Sequence, residues 1–161
     1  MSNFRAGCIQ VNATNNLMYN ISEAERLGIE CIKEGVDIIL YPENVLFMAQ
    51  DSDDLKKNSY KEEVHKGIDF FKKFAKDNSK WILVGSIAVS LSSGKLANRS
   101  FMINSDGNIV AKYDKIHLFD VVLENGEKYF ESYSYQAGER VVVAKTKWGN
   151  FGLTICYDLR F

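Results

Sequence analysis

Three side chains of this sequence could form a nucleophilic site, and each stands just past an apolar, strand-like run. Glu43 follows "VDIIL" in "YPEN", Lys115 lies in "KYDKIHLFD", and Cys156 follows "FGLTI" in "TICYDLRF". A carboxylate can take the thiol proton, the thiolate can attack a carbonyl or nitrile carbon, and an ammonium can stabilise the developing oxyanion. Taken singly, each has an ordinary alternative. Acids and lysines at strand ends are most often solvated, and a lone cysteine is most often a small buried hydrophobe. The catalytic reading therefore depends on the three meeting in space.

An open α/β sheet would bring them together, because ligands bind beyond the carboxyl ends of its strands. Phe4 to Val11 reads as a first strand. Leu17, Ile21, Ala24, Leu27 and Cys31 then recur at helical spacing, and Gly35 is a plausible stop. The run from Val36 is short, β-branched and suited to burial on both faces. Strand, helix and strand make a βαβ unit and so a largely parallel sheet. Phe47 to Lys61 reads as a loop or short helix. A second amphipathic helix carries Val64, Ile68, Phe71, Phe74 and Ala75, with His65 expected to be solvent-facing or half-buried on it. "WILVGSIAV" is a further buried strand, and Asp106-Gly107 joins a strand pair. Residues 114–136 form a long aromatic excursion, and such excursions are often functional. "VVVAKT" and "FGLTIC" close the chain as two more strands.

Composition narrows the function. The chain has 161 residues, 46% of them hydrophobic and 25% charged, and a formal net charge of −1. No basic stripe supports nucleic-acid binding, and no apolar run approaches the ~18 residues of a membrane span. The expected location is cytoplasmic. Cys8, Cys31 and Cys156 show neither CxxC nor zinc-site spacing, so no structural metal or disulfide scaffold is expected. Cys8 and Cys31 are expected to be buried. "GCIQVNATNN" is not a glycine-rich phosphate loop, which weakens a nucleotide-binding reading.

"YPEN", "KYDKIHLFD" and "GLTICYDLRF", in that order, resemble the three signature motifs of the nitrilase superfamily of carbon-nitrogen hydrolases. The resemblance runs from Phe4 onward and matches the amino-terminal part of the family domain. It implies an α/β fold, here an incomplete four-layer αββα sandwich, in a single domain over residues 1–161 that stops just after the nucleophile motif. It implies Cys156 as the nucleophile forming a thioester, Glu43 as general base, and Lys115 as oxyanion stabiliser with the backbone N–H of Tyr157. In the amidase branch a second glutamate follows the lysine. Glu131 in "KYFESYSYQAG" is the best match, although the spacing is one residue short, and Glu124 and Glu127 compete with it. Arg160 would orient either the elbow or a substrate carboxylate. His117 would pack the lysine loop, although a Cys–His pairing stays open. Tyr129, Phe130, Tyr133 and Tyr135 would line a pocket or pack.

The branch resembled acts on ω-amides of dicarboxylic acids and on deaminated glutathione. The implied partner is thus a small-molecule amide, with no cofactor. A homo-oligomer or a complementing carboxy-terminal polypeptide would complete the assembly. Leaving about 1,000 Å² of sheet face in water would cost on the order of 25 kcal/mol. The chain alone is therefore expected to be poorly stable, or to act as a silent binding subunit that needs its other half. Lys115 is the charge expected to favour a thiolate at Cys156.

Overall fold

The computed structural model describes residues 3–161. Its centre is a five-stranded mixed sheet in the order β1 (Ala6–Cys8), β2 (Ile38–Tyr41), β3 (Trp81–Ser90), β4 (Leu96–Ile103), β5 (Ile109–Asp114). β1, β2 and β3 are parallel, whereas β4 is antiparallel to both β3 and β5. The carboxyl ends of β2, β3 and β5 and the amino end of β4 therefore share one rim.

The period-2 alternation of strand side chains separates two cores. Ile39, Tyr41, Ile82, Val84, Phe101 and Ile103 face α1 (Leu17–Lys33) and α3 (Lys66–Asn78), against Ala24, Phe71 and Phe74. Ile38, Met102 and Tyr113 face the other way, onto Ala144, Trp148, Leu153 and Ile155. These last four lie in and beside a hairpin of β8 (Val143–Thr146) and β9 (Gly149–Gly152), which forms the second β layer. A β6–β7 hairpin (Asp120–Val122, Lys128–Phe130) and a short α2 (Ser52–Lys57) complete the elements the site depends on. The α/β class and the helix–sheet–sheet layering agree with the sequence reading.

Local chemistry explains the boundaries. Asn16 caps α1 by accepting the Tyr19 N–H at 3.0 Å. α1 then lies close on the sheet at Gly28, where a Cβ would stand 2.4 Å from the Tyr41 hydroxyl. That hydroxyl in turn donates to the Ala24 carbonyl at 2.8 Å. α3 begins later than its hydrophobic pattern suggests, because His65 is its cap. The His65 Nδ1 accepts the Gly67 N–H at 3.1 Å, and the residue is buried rather than solvent-facing. Burial lowers the affinity of its ring for a second proton. Val64 lies outside the helix and is exposed.

Two strands are shorter than expected. β1 is an edge strand paired only to β2. Cys8 on its outer face is exposed, and Cys31 is only partly buried beside Gly7. β9 ends at Gly152, although the Leu153 N–H still reaches the Val142 carbonyl at 3.0 Å; two residues on, the Ile155 N–H goes instead to the Asp158 carboxylate at 2.9 Å.

The register between β3 and β4 shifts between Val84 and Ile87. Within that bulge Gly85 lies so close to the turn after β2 that a Cβ would stand 2.3 Å from the Tyr41 carbonyl oxygen and 2.4 Å from the Pro42 carbonyl carbon. Only glycine fits without moving that turn. Gly85→Ala is expected to lose about 1–3 kcal/mol of stability through overpacking. Urea unfolding measures this, and wild-type stability in the variant would show that the turn is not pinned here.

Candidate active site

Glu43 is held by the bulge. Asn44, at φ 51, turns the chain after it, and its N–H donates to Ser86 Oγ at 3.0 Å. The Ser86 N–H donates to the Pro42 carbonyl at 3.3 Å. Glu43 Oε1 then receives Asn98 Nδ2 at 2.8 Å and Lys115 Nζ at 3.2 Å.

Lys115 follows β5 and is 2% exposed. Its N–H donates to the Asn98 carbonyl at 3.0 Å, and its own carbonyl receives the Gly138 N–H at 2.8 Å. Gly138 is needed for that approach, since a Cβ there would lie 2.2 Å from the Asp114 carbonyl oxygen. The ammonium donates to Glu131 Oε2 at 2.9 Å. Burial works against its charge, but the bond to Glu131 and the charges of Glu43 and Glu131 outweigh burial, and its pKa is raised.

Glu131 sits where β7 passes into a turn of 3₁₀-helix. Besides Lys115 it accepts the Phe119 N–H at 2.7 Å and Asn98 Nδ2 at 3.1 Å. Glu124 and Glu127, at the exposed tip of the β6–β7 hairpin, make no such contacts. Among the three glutamates considered, Glu131 is the one that reaches the lysine.

Cys156 opens a 3₁₀ turn over Cys156–Arg160 with φ 48, the left-handed conformation of a sharp elbow. It therefore stands beyond the end of β9, not directly on it. Asp158 fixes the elbow. Its Oδ2 accepts the Ile155 N–H at 2.9 Å and the Tyr113 hydroxyl at 2.7 Å. Its Oδ1 accepts the His117 N–H at 2.9 Å and lies 2.8 Å from His117 Nδ1. One carboxylate thus ties the residue before the cysteine to residues on either side of Lys115. Burial pushes Asp158 upward, but the bonds from Tyr113, His117 and Ile155 hold it below the usual carboxylate range.

Cys156 is exposed as a residue, but desolvation of its thiol and the charge of Glu43 push the thiol above its ordinary value, and the attraction of Lys115 does not compensate. The Glu43 carboxylate is the charge that acts most strongly against ionisation of the thiol. Resting Cys156 is therefore a thiol with a base beside it, and the help that Lys115 was expected to give the thiolate is outweighed.

The thiol faces a cavity of about 460 Å³ lined by Phe119, Tyr157, Leu159 and Arg160. Arg160 is exposed and forms no ion pair among the described residues. His117 is occupied by Asp158 and stacks on Phe161 at 3.9 Å between ring centroids, so it does not pair with the cysteine. Tyr135 is buried near the glutamates, whereas Tyr129 and Tyr133 are exposed. No group of three or more His, Cys, Asp or Glu among the described residues is placed to hold a metal. No described helix is long and apolar enough to cross a membrane. Sequence reasoning missed Asn98 and the bracing role of Asp158. The one signal for Asn98 was a polar amide inside the apolar strand "ANRSFMI".

A family model described as carbon-nitrogen hydrolase matches residues 5–161. A deaminated glutathione amidase from Synechocystis is 32% identical over 165 residues, covering 100% of this chain and 60% of that protein. Omega-amidase NIT3 from Saccharomyces cerevisiae is 43% identical over 84 residues, covering 51% of this chain and 29% of that protein. The chain thus spans between 44% and 60% of the length of curated relatives that it matches along its whole extent. Among solved structures, Saccharomyces cerevisiae Nit3, a member of branch 10 of the nitrilase superfamily, superposes with a TM-score of 0.83 at 25% identity, covering 98% of this chain and 57% of that one. The C. elegans NitFhit protein superposes at 0.87 with 24% identity, covering 100% and 40%, and shares the fold.

Because the Asp158 carboxylate is held below its unfolded value, its contribution to stability is present above the unfolded pKa of about 3.9 and is lost as pH falls below it. At pH 7, Asp158→Asn is expected to be less stable than wild type by about 1.5–3 kcal/mol, the scale of hydrogen bonds to a charged group. The gap should narrow below about pH 4. Denaturant midpoints across pH measure it, and a gap that stays constant into acid would contradict the brace.

Proposed function

The chain belongs to the carbon-nitrogen hydrolase family, and from that premise we propose that its site hydrolyses the amide of a small, carboxylate-bearing molecule and releases ammonia. One observation carries the reading: a single buried ammonium lies between two carboxylates, one of which faces a thiol. Both protein bonds to Glu43 fall on Oε1, whereas Glu131 accepts on both oxygens and from a backbone N–H as well. Glu43 is the freer carboxylate and takes the part of the general base; Glu131 holds the lysine.

Glu43 takes the Cys156 proton as sulfur attacks the amide carbonyl carbon. The negative charge that develops on oxygen is met by Lys115 and the Tyr157 N–H. Collapse breaks the C–N bond, and Glu43 passes its proton to the leaving nitrogen, giving ammonia and a Cys156 thioester. Water then gives a proton to Glu43 and adds to the thioester carbon. Expulsion of sulfur, which recovers that proton, yields the acid. Because the resting thiol keeps its proton, attack is coupled to base catalysis. Arg160 on the cavity wall is suited to a substrate carboxylate. That chemistry accords with relatives named deaminated glutathione amidase and omega-amidase. The reading invokes no cofactor.

The exposure of Val141, Val143, Leu159 and Phe161 around the second β layer and the elbow favours a further reading. In it the chain is inactive until joined by a complementing carboxy-terminal polypeptide or a second copy. Co-expression with the following coding sequence separates the two: activity that appears only then marks a split enzyme.

Purified protein, alone or so complemented, is expected to release ammonia from ω-amides of dicarboxylic acids. Cys156→Ala should lower that release by at least about 10³-fold, the scale of removing a nucleophile. Release that survives the substitution would rule this mechanism out.

A further inference from the structure

Asn98 lies in β4 and is 1% exposed. Its Nδ2 donates to Glu43 Oε1 at 2.8 Å and to Glu131 Oε1 at 3.1 Å, and its backbone carbonyl receives the Lys115 N–H. Its Oδ1 is the one buried side-chain nitrogen or oxygen among the described residues without a hydrogen-bond partner. Rotating the amide by half a turn would aim a carbonyl at two carboxylates. Charge repulsion fixes the orientation, and the orphaned oxygen is its consequence. The position thus favours a donor over full satisfaction of its own polar atoms.

We infer that Asn98 is a positioning residue of the hydrolytic site, its amide clamping Glu43 and Glu131 together so that Glu43 stays against the Cys156 thiol. The inference rests on the proposed hydrolase reading for its catalytic consequence, but the clamp itself can be read without turnover. The charged groups facing the thiol are Glu43 from the turn after β2, Lys115 after β5 and Glu131 after β7, with Arg160 of its own 3₁₀ turn on the wall of the same cavity. Two of them are held by Asn98, so the pH dependence of the thiol reports on the clamp.

The test uses the full chain and follows iodoacetamide labelling of Cys156 against pH by peptide mass spectrometry. Asn98→Leu keeps the branching and heavy-atom count, at a somewhat larger volume, and removes the donors. It is expected to release Glu43, lower the labelling midpoint by about half a pH unit and so raise labelling at neutral pH about threefold. Glu43→Gln should shift the midpoint in the same direction. Asn98→Asp is isosteric and adds a negative charge, so its midpoint is expected to rise. A merely structural role would not give shifts of opposite sign. With a small ω-amide, Asn98→Leu should lower kcat about 10²-fold while KM changes less than about threefold, as misplacement of a catalytic group does. Midpoints that stay put, or move together, would overturn the clamp even if kcat falls. If Asn98→Leu does not fold, Asn98→Asp decides alone, and an unmoved or lowered midpoint overturns the inference. Opposite shifts in a wild-type protein that releases no ammonia would uphold the clamp and reject the hydrolase reading.

Discussion

The buried ammonium of Lys115 sits between the carboxylates of Glu43 and Glu131, which arrive from three different places in the sequence. A cation that is 2% exposed must be compensated, because removing a charge from water without a partner costs several kcal/mol. Two carboxylates compensate one ammonium and leave an excess negative charge. The Asn98 amide and the Phe119 N–H absorb part of it. What is left faces the Cys156 thiol and keeps its proton in place. The same carboxylates that make the buried ammonium acceptable to the fold therefore supply a proton acceptor for the chemistry proposed.

The surrounding structure holds this charge cluster at a fixed spacing. The bulge at Gly85 and Ser86 pins the turn that carries Glu43. The pairing of β4 with β5, continued by the Lys115 N–H to Asn98, places the lysine beside the strand that carries the clamp. Gly138 lets the chain after the excursion pass against Asp114 and Lys115. Asp158 joins the cysteine elbow to the lysine loop, and so fixes the nucleophile's turn relative to the chain that carries the ammonium. A second, separate ion cluster of Arg99, Asp114, Glu62 and Lys112 ties β4 and β5 to the chain before α3 and leaves the thiol cavity untouched.

Much of this was legible in the sequence. Helical spacing located α1, the doubly apolar run located β2, and Asp106-Gly107 located the β4–β5 turn. Motif order brought Glu43, Lys115 and Cys156 to one rim, where the geometry places Glu131 with them. Other features depended on groups distant in the chain and left no local mark. His65 reads as a helical surface residue until its ring is seen to cap α3. After β9 the chain turns where a carboxylate three residues beyond Ile155 takes the Ile155 N–H, which no propensity contains. The balance of charge at the thiol was not legible, because sequence shows that a lysine is present but not that two carboxylates outweigh it. Asn98 was invisible for the same reason: its meaning lies wholly in what it touches.

The claim beneath all of this is that Lys115 and Glu131 share one buried ion pair next to Glu43. A double-mutant cycle on unfolding free energy, built from Lys115→Met, Glu131→Gln and the pair, measures it directly. Removing either partner leaves the other uncompensated, so the single substitutions should be strongly non-additive, with a coupling of more than about 1 kcal/mol. Additivity within about 0.5 kcal/mol, the behaviour of independent sites, would contradict the account.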